Sequence, residues 1–213
     1  MPEVLINGPD GRLEGRYHHS RVPNASIALL LHPHPRHGGT MNNKVLFAAY
    51  QSFRARDFST LRFNFRGVGR SQGAFDRGEG ELSDAASALD WLQAYNPSAR
   101  SCWICGFSFG AWIGLQLLMR RPEIGAFVAI APPVTLYDFS FFAPCPASGM
   151  FVQGADDPLA TQEAMTPLLA RLAKQRDITI EHVTIPGADH FFRDRLGTLQ
   201  NVIDAYIRKR QRA

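Results

Sequence analysis

The sequence of 213 residues has few of the features that define disulfide-rich or membrane-spanning proteins. It contains only three cysteines, too few for a disulfide framework in a chain of this length. Its apolar runs, such as residues 27–31, are far shorter than the roughly 18 residues that a membrane span requires. The N-terminus lacks a basic segment followed by an apolar one, the pattern of a secretory signal. We therefore expect a cytoplasmic protein that does not bind membranes.

Lysine is also scarce, since most of the 23 basic residues are arginine, and the formal net charge is only +4. The arginines are scattered along the chain. Their one dense cluster, residues 208–212, lies at the end of a predicted terminal helix, where cations interact favourably with the helix dipole. We therefore expect no nucleic-acid partner. Neither charge nor composition indicates an oligomeric state.

Short apolar runs alternate with longer helical patterns, which is typical of β-α units around a mainly parallel sheet. An edge hairpin is predicted for residues 4–6 and 13–17. The predicted inner strands are residues 26–32, 60–65, 101–105, 127–131, 149–153 and 178–185. The predicted helices are residues 42–56, 79–95, 109–121, 160–175 and 195–210. The pattern indicates one α/β domain over residues 1–213, with about eight strands.

A Gly-x-Ser-x-Gly pattern stands between a predicted strand and a predicted helix and comprises Gly106, Ser108 and Gly110. The glycines let the two backbones approach each other at a sharp turn, so the serine hydroxyl projects above the C-terminal edge of the sheet. The helix N-terminus behind it stabilises developing negative charge. Ser108 is therefore the predicted nucleophile.

A nucleophilic serine needs a general base and a carboxylate that orients the base. Both residue types follow in loops that leave the C-terminal ends of later predicted strands, where ligand chemistry collects in open α/β sheets. His190 is the predicted base, and Asp189 is too close in sequence to turn back to its ring. The order of residues leaves the acid open between Asp156 and Asp157.

Together these elements resemble the α/β-hydrolase superfamily over essentially the whole chain. The resemblance rests on residues 31–35, 38–44, 64–71, 106–110, 154–157 and 187–191. The first two segments, LHPHP and GGTMNNK, further resemble small bacterial serine hydrolases that are related to dienelactone hydrolases and have no lid. The resemblance implies an α/β-hydrolase fold with helices on both faces of the sheet, no cap domain, and a Ser-Asp-His triad with Asp157 as the acid.

The resemblance also implies an oxyanion hole built from two backbone N–H groups. The first belongs to Phe109, the residue after the predicted nucleophile. The superfamily pattern places the second at His34. Pro33 and Pro35 have no amide hydrogen, so His34 is the only donor in this stretch. The role of its side chain stays open.

Two groups of side chains are candidates for binding the substrate. Residues 132–146 are too few for a cap domain and include Tyr137, Phe139 and Phe142, which either line an acyl pocket or cover the edge of the sheet. Arg66 belongs to a loop at the same end of the sheet and favours an anionic substrate, although surface solubility explains it equally well.

Two further patterns are interpreted as structural. The histidines at positions 32, 34 and 37 have no carboxylate or cysteine partner at a recognised ligand spacing, so we expect no metal. Cys102 and Cys105 fall on opposite faces of a predicted strand, too far apart for a disulfide.

These residues predict a serine hydrolase that cleaves an ester bond of a small-molecule substrate through an acyl-enzyme, without a cofactor. A thioesterase or a peptidase with the same triad is the enzymatic alternative. A binding module that keeps the fold without turnover is the non-enzymatic one.

Overall fold

The computed structural model describes residues 3–212, which contain eight strands in one sheet and five α-helices. The strands are Glu3–Gly8 (β1), Gly11–His18 (β2), Ile27–Leu31 (β3), Ser59–Phe63 (β4), Cys102–Phe107 (β5), Ile124–Ile130 (β6), Ser148–Gly154 (β7) and Ile180–Ile185 (β8). The helices are Lys44–Ala55 (α1), Glu79–Ala94 (α2), Phe109–Leu118 (α3), Gln162–Leu172 (α4) and Leu196–Arg212 (α5). All of these elements overlap the predicted ones.

The strands follow the order β1-β2-β4-β3-β5-β6-β7-β8. β1 pairs antiparallel with β2, and β2 pairs antiparallel with β4, while every pair from β4 to β8 is parallel. This confirms the predicted mainly parallel sheet. Because parallel strands share a direction, the loops that follow β3, β5, β7 and β8 leave the sheet along one edge, where ligands bind in such folds.

Each face of the sheet carries its own hydrophobic core. One core includes side chains from α2, α3 and α4, and the other includes side chains from α1 and α5. Neighbouring strand residues alternate between the two cores, as Leu29 and Leu30 do. Cys102 and Cys105 also lie on opposite faces as buried free thiols, as predicted. Burial on both sides explains why β3, β5 and β6 contain no charged residue and consist almost entirely of apolar ones.

Some predicted boundaries are a few residues too wide. The helix predicted for residues 109–121 ends at Leu118, because Arg120 N–H bonds to the Leu117 carbonyl and closes the last turn tightly.

The connection between β6 and β7, residues 131–147, contains a single 3₁₀ turn, Ser140–Phe142, and no cap domain. None of the described helices is both long and apolar enough to cross a membrane.

Candidate active site

Ser108 lies at a sharp turn between β5 and α3. Its backbone has φ 55° and ψ −119°, in the region that residues with side chains rarely adopt. Both flanking glycines are required by space: a Cβ atom on Gly106 would lie 2.2 Å from the Gly110 carbonyl oxygen, and one on Gly110 would lie 2.2 Å from the Leu31 carbonyl oxygen. The Ser108 N–H donates to the Ile130 carbonyl over 2.9 Å. The strained turn is thus held in place by its neighbours.

Three side chains from three loops form a hydrogen-bonded line at the edge of the sheet. The Ser108 hydroxyl donates to His190 Nε2 over 3.0 Å, and His190 Nδ1 donates to Asp157 Oδ2 over 2.8 Å. One neutral tautomer of His190 satisfies both bonds, because the carboxylate can only accept. All three residues are buried. The arrangement allows the imidazole to take a proton from the serine.

The carboxylate that contacts His190 belongs to Asp157. Its other oxygen, Oδ1, accepts hydrogen bonds from the amides of Leu159 and Ala160, at 2.8 and 3.2 Å, which fix the carboxylate in place. Asp156 is exposed, and its backbone N–H donates to the Ala188 carbonyl. The geometry therefore pairs His190 with the acid that the superfamily pattern indicates.

Asp189 does not contact the imidazole that follows it. Its Oδ1 accepts hydrogen bonds from the amides of Phe191 and Arg193, at 3.1 and 2.9 Å. This carboxylate shapes the loop that carries His190, in agreement with the sequence interpretation.

The N–H groups of His34 and Phe109 come from two loops that meet at the same place. A Cβ atom on Gly110 would lie only 2.6 Å from the His32 carbonyl oxygen, so the end of β3 contacts the start of α3 closely. Neither N–H group donates to another group among residues 3–212. Two free amides beside a serine hydroxyl are the donors that a developing oxyanion requires.

A cavity of about 400 Å³ lies above Ser108 and has two unlike walls. The polar wall belongs to the loop after β3 and consists of His34, His37, Gly38, Gly39 and Asn43. The apolar wall consists of Pro133, Leu136, Tyr137, Leu159 and Phe191. Leu136 and Phe191 stand at the rim, with 63% and 48% of their surface exposed. No aspartate or glutamate is among the described residues that line the cavity.

The His34 side chain is a neutral donor in the polar wall. Its Nδ1 accepts a hydrogen bond from the Arg36 N–H over 3.1 Å, so the ring proton lies on Nε2. Burial lowers the pKa of His34, and the nearby charges of His37 and Arg36 lower it further. The ring packs against Phe75 and Phe109, with centroid distances of 4.9 and 5.0 Å.

Tyr137 lines the cavity, but the two phenylalanines predicted beside it do not. Phe142 is fully buried and Phe139 nearly so, and both belong to the core under α3. The Phe142 ring packs against Phe127 on the sheet, with the centroids 5.4 Å apart. Of the two roles left open for these rings, the acyl pocket is therefore wrong for Phe139 and Phe142, which instead hold the β6–β7 connection against the sheet.

Arg66 also lies outside this cavity. Its guanidinium makes two hydrogen bonds to the buried carboxylate of Asp84, at 3.0 and 2.7 Å, and it borders a separate polar depression with Asp10 and Glu79. The Arg66–Asp84 pair also raises the pKa of the guanidinium. The expectation that Arg66 contacts an anionic substrate is therefore wrong, because this side chain fixes the loop after β4 to α2.

Several lining residues are absent from the sequence prediction, among them His37, Asn43, Leu136, Leu159 and Phe191. Two of them could have been identified from the sequence, since Leu136 adjoins Tyr137 and Phe191 adjoins His190. The other positions become neighbours only through the fold.

Comparison with known proteins gives consistent matches. The X-Pro dipeptidyl-peptidase (S15) family matches residues 17–193. An uncharacterized protein of Rickettsia prowazekii is 52% identical over 97% of this chain and 89% of its own length. The structure of a protein of unknown function from Agrobacterium tumefaciens is 54% identical over 99% of this chain and 97% of that chain, with a TM-score of 0.96.

A solved α/β serine hydrolase without a lid, from Xanthomonas campestris, is 31% identical over 98% of this chain and 94% of that chain, with a TM-score of 0.86. The family match spans most of the chain, and it agrees with the eight-stranded sheet and the strand-turn-helix at Ser108. The chain is therefore an α/β hydrolase that belongs to the X-Pro dipeptidyl-peptidase (S15) family.

Proposed function

We propose that the protein is a serine hydrolase that cleaves carboxylic esters of small molecules through an acyl-enzyme. The observation that carries this proposal is the position of His190, whose two ring nitrogens bond to Ser108 and Asp157 at 3.0 and 2.8 Å. A buried imidazole between a hydroxyl and a carboxylate is the arrangement that activates a serine nucleophile.

In the first half of the reaction Ser108 Oγ attacks the ester carbonyl while its proton passes to His190 Nε2. Asp157 stabilises the imidazolium that forms. The proton then passes to the departing alcohol oxygen, and the acyl group stays on Ser108. In the second half, water gives a proton to His190 and attacks the acyl carbon. The bond from that carbon to Ser108 Oγ then breaks, His190 returns its proton to Oγ, and the carboxylic acid leaves.

The negative charge that develops on the carbonyl oxygen is accepted by the N–H groups of Phe109 and His34. Each such donor commonly contributes about 10²- to 10³-fold to the rate. The N-terminus of α3 adds its dipole at the same point.

The two walls of the cavity indicate how an ester binds. Its volume of about 400 Å³ suits a small ligand. The acyl chain packs on the apolar wall with Leu136 and Leu159, and the alcohol portion faces the imidazoles of His34 and His37. With no carboxylate in the lining, the site favours neutral or anionic substrates over cationic ones.

Peptidase activity is the second candidate, because the family that matches the chain is described as X-Pro dipeptidyl-peptidase. A dipeptidyl-peptidase binds the free ammonium group of its substrate, which calls for a carboxylate near the nucleophile. None lines this cavity within the described residues, and Asp157 is occupied by His190. Ester hydrolysis is therefore the first candidate.

Labelling with a fluorophosphonate tests the proposal, with the modified residue identified by mass spectrometry. We expect covalent modification of Ser108 and loss of p-nitrophenyl butyrate hydrolysis by about 10⁴-fold or more in Ser108→Ala. Ala-Pro-p-nitroanilide, assayed in parallel, distinguishes the peptidase candidate. A folded wild-type protein that is neither labelled nor active on the ester would refute the proposal and favour a binding module.

Asp157→Asn and Asp156→Asn form a matched pair for the acid. The first removes the acceptor of the His190 proton and should lower kcat by about 10⁴-fold. The second changes an exposed side chain and should leave kcat within about twofold. The reverse order would assign the acid to Asp156.

A further inference from the structure

His32 is a buried histidine outside the proposed triad. It directly follows β3, is fully buried, and packs its ring against Phe65 with a centroid distance of 4.7 Å. Its Nε2 lies 3.0 Å from the backbone nitrogen of Phe65, and its Nδ1 lies 2.6 Å from the Pro33 carbonyl oxygen. The imidazole therefore connects two backbone segments, the start of the loop after β3 and the start of the loop after β4.

These two contacts allow one protonation state only. The Phe65 N–H can only donate, so Nε2 carries no proton and accepts. The Pro33 carbonyl can only accept, so Nδ1 carries the proton and donates. The pKa of His32 is lowered to about 4, mainly by burial and to a smaller extent by the neighbouring His34, against the opposing effect of the hydrogen bond to Pro33, and this keeps the ring neutral near pH 7.

The Pro33 carbonyl belongs to the same peptide group as the His34 N–H. This peptide bond is trans, since the only cis peptide in residues 3–212 is Ala143-Pro144. In a planar trans peptide the C=O and N–H bonds point in opposite directions. Holding the carbonyl oxygen on one side therefore fixes the direction of the N–H on the other.

Gly39 packs closely against the same carbonyl group. A Cβ atom on Gly39 would lie 2.0 Å from the Pro33 oxygen and 2.6 Å from the His34 oxygen, so no other residue fits there without displacing the peptide. With His32 bonded to the oxygen and Gly39 packed against it, this peptide group is held more tightly than a surface loop would be.

We propose that His32 is the positioning residue of the oxyanion hole: its Nδ1–H holds the Pro33 carbonyl and thereby aims the His34 N–H at the developing oxyanion. This inference rests on the proposed function and extends it to a residue that does not touch the substrate. It explains why a histidine, rather than an apolar residue, fills this position in the interior.

Three substitutions separate the two hydrogen bonds of His32. His32→Asn keeps a donor at the position of Nδ1, His32→Gln keeps an acceptor at the position of Nε2, and His32→Leu keeps neither. If His32 acts through the Pro33 carbonyl, His32→Asn retains kcat within about fivefold, while the other two lower kcat by about 10²-fold with little change in KM.

The decisive measurement compares an oxo ester with the matching thiono ester, in which sulfur replaces the carbonyl oxygen. A well-aimed oxyanion hole discriminates strongly between them, because its donors are spaced for oxygen. We expect the rate for the oxo ester divided by the rate for the thiono ester to fall about tenfold in His32→Leu and His32→Gln. In His32→Asn this ratio should stay near the wild-type value. Unfolded molecules hydrolyse neither ester, so the ratio does not depend on how much of a variant folds.

Equal rate ratios in the wild type and all three variants would overturn the inference and assign His32 a purely structural role. Equal losses in His32→Asn and His32→Gln would overturn it as well. Failure of the proposed function has a different signature, because the wild-type protein would then show no labelling at Ser108.

Discussion

The two walls of the cavity differ in what holds them. The polar wall is fixed through its backbone: a Gly39 Cβ would overlap the Pro33 carbonyl, and the His32 ring bonds to that oxygen. The apolar wall depends on side chains of the β6–β7 connection, which is anchored from below by Phe142 and presents Leu136 at its surface. Under the proposed function, we therefore expect substitutions in the first wall to change the rate of the chemical step and those at the surface of the second to change the choice of substrate.

The largest effect is expected beneath the apolar wall. Phe142→Ala removes a fully buried ring and should lower the free energy of unfolding by about 3–5 kcal/mol, measured by urea denaturation. Its neighbour Phe141 is only half-buried, so Phe141→Ala should cost less than half as much. Unchanged stability of Phe142→Ala with an increased KM would mean that this ring contacts substrate.

Gly39→Ala should have the next largest effect, on the polar wall. Its new methyl group would displace the Pro33–His34 peptide and misalign the proposed oxyanion donor at His34, so we expect kcat to fall by about 10²- to 10³-fold with a smaller change in KM. Gly125→Ala adds the same group where no atom lies within 4 Å and serves as the control. If Gly39→Ala kept wild-type kcat, the polar wall would not be fixed as described.

Acid should weaken the polar wall more than the apolar one. A histidine in the unfolded chain titrates near 6.5, whereas burial lowers the pKa of His32 to about 4. Between these values the unfolded state binds a proton at His32 and the folded state does not. The free energy of unfolding is therefore highest above about pH 6.5 and falls by about 3 kcal/mol as the pH is lowered to 4. Urea denaturation across this range should show a flatter pH dependence for His32→Asn than for the wild type. Parallel curves would contradict this assignment.

The smallest effect is expected at the rim of the apolar wall. Leu136→Ala should lower kcat/KM for a p-nitrophenyl octanoate by about fivefold relative to acetate, because a partly exposed leucine contributes about 1 kcal/mol of apolar contact. Leu5 is another exposed leucine, on the edge hairpin, so Leu5→Ala is the control. Equal chain-length profiles for the two variants would remove Leu136 from the acyl site.

Much of the fold was predictable because it depends on local patterns. The inner parallel strands β3, β5 and β6 are buried on both faces and appear as short apolar runs. The glycines around Ser108 are required because a Cβ atom at either position would lie 2.2 Å from a backbone oxygen. The order of Ser108, the aspartate pair and His190 also follows from the order of the strands, since each residue lies in the loop after one of them.

The failures concern side chains whose partners are distant in sequence. In the sequence Arg66 cannot be distinguished from a surface arginine, because only the fold brings it to the buried Asp84 on α2. The aromatic residues of the β6–β7 connection have no regular period, so the sequence does not distinguish Phe142, which faces the core, from Tyr137, which faces the cavity. The sequence does not indicate the role of His32, because its hydrogen-bond partners are backbone atoms.

The groups around Ser108 come from loops after four different strands, β3, β5, β7 and β8. A shift of one residue in any of these strands would turn its side chains to the opposite face and move the following loop. During refolding, reactivity at Ser108 should therefore appear only after the sheet has reached its final register from β3 to β8. The fraction of molecules that a brief fluorophosphonate pulse labels at each refolding time would then report how many have reached the native state, as distinct from a collapsed one.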